Sequence, residues 1–212
     1  MVELATLAAF VPAVLAIIIA PGPDTVYTVT QSLRGGRSAG FIAGLGTATG
    51  VLVHTAAAVL GLAALLRTSV LAYTVVKYVG AAYLLYLGVQ MFRSDERFEL
   101  QTNLAEQDYS LAESYRKAVV INVSNPKVAV FVLAFFPQFV PATANASLQM
   151  SILGMLYAGL SVLYLGGVAL FASQVRHRLL HSDAIRKAVQ YVSGSILVGF
   201  GVKLALEKHS IN

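Results

Sequence analysis

Residues 4–33 read LATLAAFVPAVLAIIIAPGPDTVYTVTQSL, and across this stretch the only charged side chain is Asp24. That acid follows directly on Pro21-Gly22-Pro23. Proline has no backbone N–H, so a helix passing through it leaves carbonyls without donors. Such a break is tolerated at membrane depth only where protein or a cavity re-satisfies the freed groups. A charge in hydrocarbon costs at least about 2.5–3.5 kcal/mol. The stretch is therefore expected to be a transmembrane helix that is broken in its middle. Break and charge together mark a site.

The rest of the chain agrees. Of its 212 residues 57% are hydrophobic and 12% charged, and its mean hydropathy is +0.72. Soluble domains carry about 25% charged residues. Six apolar segments follow one another, at 4–33, 39–66, 70–92, 118–141, 147–174 and 188–206. Each is long enough for one crossing of the bilayer. Glu3 is the only charge before the first run, and no Lys or Arg precedes it. A cleavable signal wants a basic start, so the run is expected to stay as a span. The chain has no cysteine, which excludes disulfides and thiolate metal sites.

Ten of the fifteen Lys and Arg residues fall in the first, third and fifth loops, beginning with Arg34 and Arg37. Short loops rich in Lys and Arg stay in the cytoplasm, which places both termini outside. The net charge of +5 is thus read as topology, not as a nucleic-acid surface. The third loop, 93–117, holds six of the ten acids and is expected to be an exposed cytoplasmic linker.

The two halves echo each other. A shift of 114 places Pro12 on Pro126, Val14 on Val128, Ala20 on Ala134, Pro23 on Pro137 and Val26 on Val140. A shift of 113 places Tyr78-Val79 on Tyr191-Val192, Leu84 on Leu197 and Gly88-Val89 on Gly201-Val202. Three spans per half mean that the second half enters from the opposite side. The expected fold is an all-α membrane protein of six transmembrane helices, arranged as two inverted three-helix repeats, with helices one and four broken. Repeat one covers 1–92, the linker 93–117 and repeat two 118–212. Inverted repeats are a common plan of secondary transporters, with the site near the midplane.

Three charged side chains lie deep inside the spans, Asp24, Lys77 and Lys127, while Lys203 falls at the outer end of the sixth. Each of the three is ten residues from a basic edge residue (Arg34, Arg67 and Lys117 respectively). At ~1.5 Å per residue that is about 15 Å, half the core thickness. Asn125-Pro126-Lys127 makes the break in the fourth span, supplying an amide and an ammonium. Asp24 can hold a substrate ammonium, carry a proton or cap the half-helix that starts there. A cavity with a carboxylate, ammoniums and loose backbone suits a zwitterion. The expected substrate-binding set is Asp24, Lys127, Asn125 and Lys77, with the helix breaks at Pro21, Gly22, Pro23 and Pro126. His54 is a second candidate for a proton relay. Gln31, Asn122 and Gln138 are candidates for a polar path. Glycines at small-xxx-small spacing, such as Gly36, Gly40 and Gly44, suit close helix packing and permit a homodimer. There is no Gly-Lys-Ser/Thr loop for direct ATP drive, and no metal-ligand spacing.

Taken in order, several blocks resemble the lysine exporter / homoserine–threonine resistance family of amino-acid exporters. They are Ala20-Pro21-Gly22-Pro23-Asp24, Arg34 to Gly40, Gly46 to Gly50, Lys77 to Gly88, Asn125-Pro126-Lys127 and Phe136-Pro137-Gln138-Phe139. The resemblance spans nearly the whole chain. It implies a small exporter in the inner (cytoplasmic) membrane, driven by the proton or ion gradient; separately, no cofactor and no nucleic-acid partner are expected. The resulting expectation is a secondary-active exporter of amino acids or close derivatives, coupled to protons and working by alternating access in the lipid bilayer. In it Asp24 takes the amino group or a proton, and Lys127 takes the carboxylate. A metal-cation exporter of related architecture is one alternative. A non-transport intramembrane enzyme, built on Ser124 near His54, or a scaffold is another.

Overall fold

A computed structural model describes residues 2–20, 22–68, 70–93, 110–140, 145–172, 174 and 182–206. Pro21 and residues 94–109 of the expected linker lie outside the described residues, as do Arg97, Arg176 and Arg178. The described chain is helical and contains no strand. Its helices are α1 (Leu4–Ile19), α2 (Pro23–Thr68), α3 (Val70–Arg93), α4 (Leu111–Val123), α5 (Pro126–Val130), α6 (Ala146–Leu170) and α7 (Asp183–Leu206). After α5 the chain continues as a π-helical turn, Phe131–Phe135, and a 3-10 turn, Phe136–Phe139.

Both expected breaks are present. The first separates α1 from α2, and the second bends α4 against α5 by 53°. At 16 residues α1 reaches about 24 Å, less than the ~30 Å of a bilayer core. On the six-span reading the first part of α2 completes that crossing. Within α2 the helix is interrupted at Gly35 and Gly36, where the Arg34–Arg37 loop is expected. Gly36 has φ 76 and ψ −177, a conformation open in practice to glycine alone. No atom lies within 4 Å of where its Cβ would stand, so backbone geometry and not space sets this requirement.

One boundary differs from expectation. Helix α4 begins at Leu111, seven residues before the span expected from 118. Ser110 caps it by accepting from the Glu113 amide, and Glu113 pairs with Lys117 one turn later at 2.5 Å. The local cap and the i,i+4 pair extend the helix into a polar stretch that hydropathy alone assigns to the linker.

Three pairs dominate the packing: α2 lies on α6 and on α4, and α3 on α7. Glycines mark the close crossings. A Cβ on Gly40 would stand 2.9 Å from that of Ala169, and one on Gly154 would stand 2.8 Å from that of Thr55. Adding 114 to 40 and 55 gives 154 and 169. A Cβ on Gly88 would meet the Gly194 carbonyl at 2.9 Å, and one on Gly201 would meet the Ala81 carbonyl at 3.0 Å. Adding 113 to 81 and 88 gives 194 and 201. Both crossings are antiparallel, since one partner's number falls as the other's rises. Reciprocal contacts of this kind are what a local two-fold axis across the helices produces.

Outside these crossings the helices present large apolar side chains outward, among them Leu4, Leu60, Leu71, Leu163 and Leu206. In water such a surface would be an aggregation site. Facing lipid tails it costs nothing, and small residues at the crossings then supply the association through close packing. This is a multi-pass membrane protein. Among the described residues, α2, most of α3 and α6 are each long and apolar enough to cross, and the bent α4–α5 pair passes as a fourth.

Candidate functional site

The two breaks face each other and share their hydrogen bonds. Four residues after Ile17, where a helix would supply the donor for its carbonyl, stands Pro21, which has no N–H. Ala20 turns out of the helix at ψ 115, which takes its carbonyl out of the ladder as well. Lys127 from the other half fills this gap. Its Nζ donates to Ile17 O at 3.1 Å and to Ala20 O at 2.8 Å. The ammonium thus sits at the C-terminal end of α1, where the helix dipole favours a cation. Gly22 leaves room for it, since a Cβ there would lie 2.9 Å from Nζ.

The second break is built from donors. Asn125 caps α5, its Oδ1 accepting from the Lys127 amide at 3.0 Å, with Pro126 in the first turn. Its Nδ2 is then free to donate to Asp24 Oδ2 at 2.8 Å. Asn122 Nδ2 donates to Asp24 Oδ1 at 3.1 Å. The carboxylate accepts only, which fixes the orientation of both amides. Asp24 does not act as a helix cap. It lies in the first turn of α2 and reaches across to the other half.

A second layer stands behind Asn122. Its main-chain carbonyl would be paired by residue 126, a proline, and is taken instead by His54 Nε2 at 3.0 Å and by the Asn125 amide at 2.9 Å. Its Oδ1 is buried without a hydrogen-bond partner and lies against Gly50, whose Cβ would stand 2.5 Å away. His54 is therefore one residue removed from Asp24. Ser124 is exposed whereas His54 is buried, so the two do not form a nucleophile–base pair.

Asp24, Gly22 and Lys127 line one small cavity together with Asn122, Tyr157 and Ser161. The volume open to the centre of a water molecule there is about 20 Å³, room for about one water and none for an amino acid. Sites that hold a small molecule enclose about 300–1,000 Å³. The packing around it differs on its two sides. Toward Arg34 it consists of hydrogen bonds between α2 and α4. Ser114 Oγ donates to Gln31 Oε1 at 2.9 Å, Tyr27 Oη donates to the Ser114 carbonyl at 3.3 Å, and the Thr49 and Tyr115 hydroxyls meet at 2.8 Å. Away from Arg34 it consists of rings. Phe10 packs edge-on against Phe136 and Phe139, with centroids 5.1 and 5.2 Å apart, and Phe131 packs on Tyr157 at 5.7 Å.

Of the sequence candidates the structure thus joins Asp24, Lys127 and Asn125, with Asn122 and His54 behind them. It keeps Lys77 apart. That lysine is buried on α3, its ammonium 5.5 Å from the Tyr78 ring centroid, and it does not line the cavity. Equal depth along the membrane normal says nothing about which way a helix turns its face. Gln31 belongs to the hydrogen-bonded side. Gln138 donates to the Ala134 carbonyl at 3.2 Å, one turn back, and also lies outside the cavity. Thr25, Thr47, Tyr157 and Ser161 line the cavity and escape the sequence reading. Hydroxyls recur throughout these spans, and their sequence spacing does not mark which of them turn inward. Among the described residues no three of His, Cys, Asp and Glu gather as a metal-binding group.

Residues 15–208 match the family model described as LysE type translocator. The chain is 32% identical to the uncharacterized membrane protein YrhP of Bacillus subtilis over 95% of its own length and 99% of that protein's. It is 30% identical to the homoserine/homoserine lactone efflux protein of Salmonella typhimurium, covering 91% of this chain and 92% of the relative. It is 28% identical to the leucine efflux protein of Salmonella choleraesuis, over 89% of each. No solved structure matches.

Proposed function

The chain belongs to the LysE type translocator family, and from that premise we propose that it exports amino acids or close derivatives across the cytoplasmic membrane. The observation that carries the reading is the exchange of bonds between the two breaks. A carboxylate and an ammonium from different halves of the chain border one small cavity. Such a pair suits the two ends of a zwitterion. Asp24 receives the amino group or a counter-transported proton, and the donors around Lys127 receive the carboxylate.

Alternating access follows from where the bonds run. The chain is read as six spans in two inverted halves, with the odd loops in the cytoplasm and the termini outside. The reciprocal glycine crossings support this reading. Rocking one half against the other parts either the hydrogen bonds on the Arg34 side or the rings on the far side. The proton gradient drives the cycle.

The test is an export assay in cells loaded with single amino acids, run with and without an uncoupler. Expression is expected to lower the internal pool of at least one amino acid, and the uncoupler to abolish that effect. Asp24→Asn is expected to insert normally and to export at under a tenth of the wild-type rate. Wild-type export by that variant at every pH would sink the site assignment. Export that ignores the uncoupler would sink the coupling.

A further inference from the structure

In broken-helix transporters, unwound carbonyls at the C-terminal end of a half-helix are where a coupling cation is held. The first break of this chain presents such carbonyls, Ile17 O and Ala20 O, at the end of α1. Both are occupied by the chain's own Lys127 ammonium, at 3.1 and 2.8 Å. We propose that Lys127 is a tethered cation. Its Nζ fills a monovalent-cation seat, so this form needs no free sodium or other metal ion there.

Three features support this. The carbonyls lack helical donors because of Pro21 and the turn at Ala20, so an acceptor pair with no internal partner exists whatever fills it. The negative end of the α1 dipole adds to the attraction for a cation. Gly22 keeps the space above the seat clear, since a side chain there would displace Nζ. The Asp24 carboxylate, across the same cavity, makes its hydrogen bonds to two neutral amides and does not hydrogen-bond this ammonium. Backbone carbonyls are thus what hold the lysine in place. A small cation freed from the tether fits the same chemistry: an alkylammonium by hydrogen bonds, or sodium by coordination.

The test is thermal unfolding of the purified full-length protein in detergent, in choline, sodium and methylammonium chlorides at equal ionic strength. The wild type is expected to melt at the same temperature in all three. Lys127→Ala is expected to melt lower in choline and to regain about 2–4 °C in methylammonium or sodium, the shift that a modest gain in binding free energy gives a chain of this size. Lys127→Met, which fills the seat without charge, is expected to show no salt response. A sodium-specific rise in the wild type overturns the proposal, and so does a Lys127→Ala protein indifferent to every salt. If the alanine variant does not fold, the wild-type arm decides alone: no sodium response supports the tether, and a selective one removes it. None of these measurements involves an amino-acid cargo. A wild type that exports nothing would sink the exporter reading and leave the salt responses to be judged on their own.

Discussion

The two helix breaks lie in different halves of the chain, and they are chemical opposites. The first offers acceptors: the Asp24 carboxylate and the Ile17 and Ala20 carbonyls. The second offers donors: the Asn122 and Asn125 amides and the Lys127 ammonium. Neither break can satisfy itself. A buried acceptor or donor left unpaired costs about 1–3 kcal/mol, and more when charged. The four cross-bonds are therefore what make this form of the molecule favourable at its centre. Each runs between halves, so in the proposed cycle they are exchanged for others as the halves separate, and a zwitterionic cargo would carry an ammonium for the acceptor side and a carboxylate for the donor side.

Removing the acid gives the largest expected effect. Asp24→Ala deletes two hydrogen bonds to a charged group, at about 1.5–3 kcal/mol each. It also leaves two amides without acceptors and Lys127 without its compensating charge. The expected result is loss of export together with a clear drop in melting temperature. Asp24→Asn retains the shape and one acceptor. It is expected to keep more of the stability while still losing export. If both variants melted like wild type, the cross-bonds would not be what holds the halves together.

The two asparagines separate capping from bridging. Asn125 does both, capping α5 through Oδ1 and bridging through Nδ2, whereas Asn122 bridges through Nδ2 alone. A lost cap costs about 1 kcal/mol. Asn125→Ala is therefore expected to destabilise by about 1 kcal/mol more than Asn122→Ala, which also relieves a buried, unpaired Oδ1. Melting curves of the two variants side by side decide this. Equal losses would mean that the cap contributes nothing at this depth.

Much of this contrast is legible in the sequence, for a physical reason. Proline acts locally: it removes one N–H wherever it stands, so Pro21-Gly22-Pro23 and Asn125-Pro126 announce broken helices without any knowledge of packing. A lone charge in an apolar run is equally local. What the sequence does not carry is direction around the helix axis. Loop counting gives Lys77 the depth of Asp24 and Lys127, but it sits on a helix that turns it away from their cavity, and Tyr157 carries no charge yet lines it. The start of α4 was hidden too. Hydropathy marks Leu111 to Lys117 as linker, while the Ser110 cap and the Glu113–Lys117 pair make it helix.

The repeat itself yields the smallest expected number, a difference between two variants. Gly88 and Gly201 stand 113 residues apart, and each faces a backbone carbonyl of the opposite helix. The first would place a Cβ 2.9 Å from Gly194 O, the second 3.0 Å from Ala81 O. Each also crowds a branched side chain: Val198 at 2.6 Å for the first and Leu85 at 2.7 Å for the second. Overpacking of this kind costs about 1–3 kcal/mol. Because the surroundings are near copies, Gly88→Ala and Gly201→Ala are expected to cost the same within about 0.5 kcal/mol, the scatter usual between independent sites. The double variant should cost less than the sum, because both Cβ atoms force the same pair of helices apart and the second meets a crossing already widened. A large inequality between the single variants, or strict additivity in the double, would show that α3 and α7 do not behave as symmetric partners.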